Sequence, residues 1–287
     1  MMAGTLLLGV FVVAAAVGGP RLLLSARWVE DAPGWGICAW QALTFAITSA
    51  VVLFALTVGA HDLSRHYGVP VLALAVGVAV LVRIGWAIGT TLHRSRRRRL
   101  QQLQSLALVG IEHPDGYVVV EHPVSLVYCL PGRPHRVVVT RGALDSLSDH
   151  ELRVVLAHER AHLRVRHDIA VGLSAALARA FGGVRVFRTA HEQVARLVEL
   201  QADDAATLAA DRRALATALM QVSDSVGHAR AMRLTREALP RRRRHGVAVG
   251  VAALALVAAP LALVLTPGVG AAGRDCCPAA VARLDVR

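Results

Sequence analysis

Apolar residues gather in four long stretches, at residues 4–19, 37–60, 69–92 and 246–266. A helix that crosses the hydrocarbon core of a bilayer needs roughly 20 mostly apolar residues. The second and fourth stretches meet this without a charged side chain. The first is shorter and extends by a few residues. Nothing basic precedes it and Arg21 and Arg27 follow it, the charge order of an uncleaved anchor rather than of a signal peptide. The third carries Arg83 well inside. Its guanidinium is expected to snorkel along its own stem, with pairing inside a bundle as the alternative.

Between the third and fourth stretches the pattern changes twice. GYVVVEHP, SLVYCLPG and RPHRVVVTRGAL are short β-branched or aromatic runs ended by Pro or Gly. They predict a small antiparallel sheet or hairpin, which can present an edge to an extended peptide. The period then becomes helical. Ser148 with Glu151 forms a capping box, and Leu152, Val155, Leu156 and Leu163 give the stripe of a buried helix. A second helical segment is RTAHEQVARLVELQADDAA. The intervening IAVGLSAALARAFGGVRVFRTA is apolar but interrupted by Arg179, Gly182, Gly183 and Arg185. It predicts an amphipathic helix or hairpin at the inner membrane face or beneath the site.

Composition agrees with a membrane protein: 55% of the 287 residues are hydrophobic. The net charge of +12 comes wholly from arginine, because the chain has no lysine. That excludes Schiff-base and P-loop chemistry. Arg94 and Arg96–Arg99 follow the third stretch and Arg241–Arg244 precede the fourth. The positive-inside rule then puts residues 93–245 in the cytoplasm, and the N-terminus, the loop from His61 to Gly68 and the tail from Pro267 outside. The organisation expected is 1–92 with three spans, 93–245 as a cytoplasmic domain, 246–266 as a fourth span, and 267–287 as a short external tail. The runs SRRRRLQQLQ and PRRRRH abut spans and lack interleaved aromatics. They suit anchoring to anionic lipid headgroups rather than binding to nucleic acid. The four cysteines show no C-x-x-C spacing, against a cysteine zinc site or a disulfide scaffold. Cys276 and Cys277, in the external tail, are the pair open to oxidation.

Chemistry concentrates in VVLAHERAHLRVRHD, where His158, Glu159 and His162 have the spacing H-E-x-x-H. Four residues apart on a helix, the two imidazoles stand on one face and can reach one ion at about 2.0–2.1 Å. Glu159, turned about 100° from His158, can hold a water without ligating the metal. A basic helix rich in histidine carries the same letters, so a third ligand decides. His167 and Asp168 lie just beyond, but the chain turn they need calls for glycine where Val165 stands, and Val165 predicts continued helix. Glu199 and Asp203, four apart on the second helix, offer a third ligand and a carboxylate for the free N–H of a ligand histidine. Glu192 and Asp204 are the alternatives on that helix.

The elements VYCLPG, VVVTRGAL, LSDHELRVVLAHERAHLRVRHD and VELQADDAA, in a chain of three spans, a domain and a fourth span, resemble the membrane metallopeptidases of the penicillin-sensing signal transducers. More distantly they resemble CAAX prenyl proteases and heat-shock membrane proteases. The resemblance implies one zinc ion held by His158, His162 and Glu199, with Glu159 as base and Asp203 behind a ligand histidine. It also implies a transcriptional repressor as substrate. Only about twenty residues follow the fourth span where the penicillin sensors carry a large ligand-binding domain, so direct antibiotic sensing is not expected. His167 stands where many relatives have an acidic residue.

The fold expected is mainly α: a multi-span helical membrane protein with a cytoplasmic zincin-like (gluzincin) domain containing a small antiparallel β element. The function expected is a plasma-membrane zinc endopeptidase in regulatory signalling, acting on a cytoplasmic or membrane-proximal protein or on itself. Membrane lipids are its other partners, and nothing in the sequence fixes an oligomeric state. Two other readings compete: a non-catalytic membrane scaffold that retains the fold, and a membrane-tethered nucleic-acid binder.

Overall fold

The structure, a computed structural model, describes residues 2–61, 68–207, 211–222, 225–235 and 244–265. The loop after His61, most of the arginine run before residue 244 and the tail with Cys276 and Cys277 lie outside the described residues.

Among the described residues, four helices are long and apolar enough to cross a membrane: α1 (Met2–Ser25), α3 (Pro33–His61), α4 (Gly68–Val109) and α11 (Arg244–Leu265). A short α2 (Trp28–Asp31) joins the first two. α3 is the hub and packs against α1, α4 and α11. Small residues set the approach: Gly19 of α1 lies on Leu43 of α3, Gly9 lies on Phe54, and Gly77 of α4 lies on Ala55. The apolar part of α4 ends near residue 92, yet its helix runs on to Val109. No Gly or Pro interrupts the segment, and its Arg, Leu and Gln residues are good helix formers.

α4 leads directly into β1 (Gly110–Glu112), followed by β2 (Val118–Val120), β3 (Val127–Leu130) and β4 (Arg136–Thr140). The order is β1-β2-β4-β3. The β1–β2 and β3–β4 pairs are antiparallel, but β2 and β4 run parallel, with Val118 opposite Val138. The sheet is therefore mixed rather than purely antiparallel, and β1 adds a strand the sequence pattern did not suggest. Burial explains the order. Val118, Val119, Val138 and Val139 are all buried, as suits central strands. The half-exposed residues of β3 suit an edge. One sheet face meets Leu106 of α4. The other meets Ala143 of α5 (Arg141–Ser146) and Leu156 of α6 (Asp149–Val165).

The capping box that opens α6 is present, with Ser148 and Glu151 bonded in both directions. The helix stops at Val165, where continued helix was expected; Arg166 adopts the left-handed region at φ 58° and α7 (His167–Ala180) starts afresh. α8 (Arg185–Ala206) returns from a turn at Gly182–Gly183, so the segment between the motif helices is a helical hairpin. α9 (Arg212–Val222) and α10 (Ser225–Thr235) complete the domain.

The hairpin docks into the spans. Trp40, Leu43 and Ile47 of α3 share one buried core with Val186, Phe187, Ala190, Val194 and Leu197 of α8. α7 is pinned by Gln41 Nε2 donating to the Ala170 carbonyl at 2.8 Å and by Arg179 donating to Thr91 Oγ1 at 2.6 Å. Arg83 Nε donates to the carbonyl of Ala180. Arg83 is exposed but finds a polar partner, the alternative to snorkelling: it closes an end carbonyl of α7 that has no partner within its helix.

Candidate metal centre

α6 and α8 pack side by side and set their polar residues against each other. His158 is buried on α6, and Asp203 is fully buried on the α8 face that also carries Leu197, Leu200 and Ala202. His158 Nε2 and His162 Nε2 lie 3.0 Å apart. Glu199 reaches both, with Oε2 3.6 Å from His158 Nε2 and Oε1 3.6 Å from His162 Nε2. Donors about 2.1 Å from a tetrahedral ion stand roughly 3.4 Å from one another, so the three side chains fit one zinc ion. Among the described residues, these three form the group of His, Cys, Asp and Glu donors close enough to share an ion. The sequence alternatives stand apart. Asp168 and Glu192 are exposed, and Asp204 pairs with Arg233 at 3.0 Å.

Each of these two histidines has a polar neighbour at its other nitrogen. His158 Nδ1 lies 3.0 Å from Asp203 Oδ1, at an angle short of a full hydrogen bond. Burial opposes charge on His158, but Asp203 and Glu199 outweigh it and push its pKa up to about 9. His162 Nδ1 faces His167 Nδ1 at 2.9 Å, and His167 Nε2 faces Gln201 Oε1 at 3.0 Å. Burial pushes both of these histidines down. Burial also raises Glu159, against the pull of His158 and a hydrogen bond with Cys129 of β3. A carboxylate raised in this way is a better proton acceptor from water. Burial and the neighbouring Glu159 hold the Cys129 thiol at about 12, so it stays protonated.

Arg230 of α10 closes the site. Its guanidinium grips Asp203 with two bonds, Nε to Oδ2 at 3.0 Å and an NH2 group to Oδ1 at 2.6 Å, and lies 2.8 Å from Glu199 Oε2. It also stands 3.4 Å from His158 Nε2. Burial works against charging Glu199 and Asp203, but the histidines and Arg230 keep both below the usual carboxylate range.

Sequence reasoning missed Arg230, Gln201 and the role of His167. Arg230 and Arg233 sit three apart on one helix opposite Asp203 and Asp204. Among 32 basic residues that spacing has no standing of its own.

The sequence profile of Peptidase family M48 matches residues 91–266. The chain belongs to peptidase family M48. The matched region runs from the end of the third apolar stretch through the fourth and takes in every residue of the candidate centre described above. Peptidases of this family are metal-dependent, typically on zinc, which agrees with the donor set. The chain is also 33% identical over 133 residues to the plastoglobule-localized metallopeptidase 48, chloroplastic, of Arabidopsis thaliana. The match covers 42% of this chain and 38% of that relative, so the M48 chain spans well under half of the relative's length. No solved structure matches it.

Proposed function

We propose that this M48 chain is an integral-membrane zinc endopeptidase with His158, His162 and Glu199 as ligands, Glu159 as general base and Asp203 as the residue that orients His158. The observation that carries the reading is the convergence of the three donors from α6 and α8, 3.0–3.6 Å apart, with Glu159 one residue from His158. A zinc ion there supplies Lewis acidity, which acidifies water and polarises a carbonyl.

The chain's own groups do the rest. Glu159 takes the proton of the attacking water and delivers it to the leaving amine. Asp203 keeps the proton of His158 on Nδ1 and leaves Nε2 free. Arg230 neutralises the two carboxylates, so that Glu199 and Asp203 do not repel each other in a buried site. β3 supports binding of an extended peptide: it is an edge strand, it packs on α6, and its Cys129 meets Glu159.

In this reading residues 93–245 form the catalytic domain on the cytoplasmic side of the plasma membrane, and the substrate is a cytoplasmic or membrane-proximal protein in a regulatory pathway, such as a repressor. The arginines that flank the spans support that orientation. A reporter active only outside the cytoplasm is expected to be silent when fused near Gln101; activity there would reverse the orientation. For the activity, purified full-length protein in detergent is given an unfolded protein substrate. Cleavage that requires zinc and disappears in Glu159→Gln is the expected result. Equal cleavage by the variant would overturn the assignment of the base, and zinc-independent cleavage would overturn the metallopeptidase reading.

A further inference from the structure

The turn that joins α1 to α3, residues 26–36, sits against the helix that carries Glu199. Val29 of α2 is buried in one core with Leu197 of α8. Gly36 marks the point where α2, α3 and α8 meet. A side-chain carbon there would stand 2.8 Å from the Val29 carbonyl oxygen and 3.1 Å from Leu197 Cδ1. Glu30 adds polar contacts. Its carboxylate lies 2.8 Å from Arg196 of α8, a half-exposed pair that contributes little. Its carbonyl accepts from Arg233 of α10 at 3.2 Å, and Arg233 is braced by two bonds to Asp204 at 3.0 and 3.1 Å. One helical turn before Arg233 stands Arg230, which grips Asp203 and Glu199. The turn is thus tied to α8 and α10, two of the helices around the metal centre.

Gly34, the second residue of α3, comes closest to the site. A side-chain carbon at residue 34 would lie 2.8 Å from Gln201 Nε2, 3.4 Å from Cδ and 3.9 Å from Oε1, its three nearest neighbours. The Gln201 amide therefore rests its nitrogen against the bare backbone of Gly34. Its oxygen is turned to His167 Nε2 at 3.0 Å, and His167 Nδ1 faces His162 Nδ1 at 2.9 Å. An amide is planar and rigid, so a group that displaces its nitrogen displaces its oxygen as well. Non-bonded heavy atoms settle about 3.5–4.0 Å apart, so a methyl group at residue 34 forces the amide to shift by roughly 1 Å. Oε1 then leaves the place from which it accepts the His167 proton. Without that acceptor His167 is free to carry its proton on Nδ1, and the Nδ1–H of His162 loses the lone pair that holds it.

We propose that Gly34 and Gln201 are positioning residues for the ligand histidine His162. The turn between the first two spans holds the Gln201 amide, the amide orients His167, and His167 keeps the proton of His162 on Nδ1 so that Nε2 is left for the metal. The M48 match begins at residue 91, so the contact that sets this ligand comes from outside the matched region. A displacement of the turn is felt at His162 through Gly34. The inference rests on the reading of His158, His162 and Glu199 as zinc ligands, and the loss of zinc in Glu199→Ala checks that reading separately.

The zinc affinity of the full-length protein in detergent is measured by competition with a chromogenic chelator. Gly34→Ala is expected to weaken it about tenfold, the lower end of what an outer partner of a ligand contributes. The backbone at residue 34 is not in the left-handed region, and alanine is the better helix former. The melting temperature of the metal-free variant is therefore expected to stay close to wild type. Gln201→Ala is expected to cost about as much zinc affinity as Gly34→Ala. In that background Gly34→Ala should add less than about twofold, because no amide is left to displace. In both single variants, imidazole 15N shifts of the metal-free protein are expected to show His162 as a mixture of tautomers, against the Nδ1–H form alone in wild type. Wild-type zinc affinity in Gly34→Ala would overturn the proposal. So would an undiminished effect of Gly34→Ala in the Gln201→Ala background, or a His162 that keeps the Nδ1–H form in both variants. Zinc retained in Glu199→Ala would overturn the ligand reading and the proposal with it.

Discussion

His167 Nδ1 lies 2.9 Å from His162 Nδ1, and its other nitrogen lies 3.0 Å from the amide oxygen of Gln201. An amide oxygen only accepts, so His167 donates from Nε2 and must accept at Nδ1. His162 then carries its proton on Nδ1 and turns the lone pair of Nε2 towards Glu199 and His158. The relay sets the tautomer that a metal requires.

His167→Ala is therefore expected to weaken zinc binding by about 10–100-fold, as the loss of such an outer partner does. Competition for zinc with a chromogenic chelator measures it. Affinity equal to wild type would mean that His162 finds its tautomer without His167.

Arg230→Ala leaves Asp203 buried against His158 without its strongest cationic partner. Breaking a buried pair in this way costs on the order of 3–5 kcal/mol, and the melting temperature of the zinc-loaded protein is expected to fall. Arg230→Lys is expected to recover only part of the loss, because one ammonium cannot reproduce the two bonds to Asp203 and the contact with Glu199. Equal stability of wild type and Arg230→Ala would remove Arg230 from the site.

Proton release on zinc binding reports the charge state of the centre. The pKa of His158 is raised to about 9, so near pH 7.5 it carries a proton that ligation must expel. His162 is pushed down and is already neutral, and Glu199 is lowered and already ionised. About one proton per zinc is expected, and zinc affinity should rise with pH up to about 9 and then level off. The sign for the metal-free fold is opposite. A raised histidine stabilises it below the ordinary histidine range, and that contribution is lost as pH climbs through about 9. Calorimetry in buffers of different ionisation enthalpy counts the protons. Release near zero at pH 7.5 would contradict the charge assignment.

Local rules carried much of this fold. The apolar stretches became the long helices, the Ser148–Glu151 box opens α6, and the four-residue spacing put His158 and His162 on one face because that spacing is a property of one helix. Glu199 and Asp203 were legible for the same reason, each as half of a pair within α8. What did not show was tertiary. The parallel β2–β4 pair depends on which strand is buried in the middle. Arg83 looked like a snorkelling side chain because the carbonyl it meets lies 97 residues away. The break at Arg166 was hidden because a non-glycine residue in the left-handed region has no strong sequence signature. That break starts α7 with His167 turned back towards His162.

The zinc content of purified Glu199→Ala tests the central claim most directly. Wild type is expected to retain about one zinc per chain after dialysis, and Glu159→Gln to match it, since an amide there removes the base but no ligand. Glu199→Ala is left with two histidine ligands, and its zinc affinity should drop by orders of magnitude. Zinc retained in Glu199→Ala but lost in Asp168→Ala would contradict the assignment and move the third ligand to the start of α7.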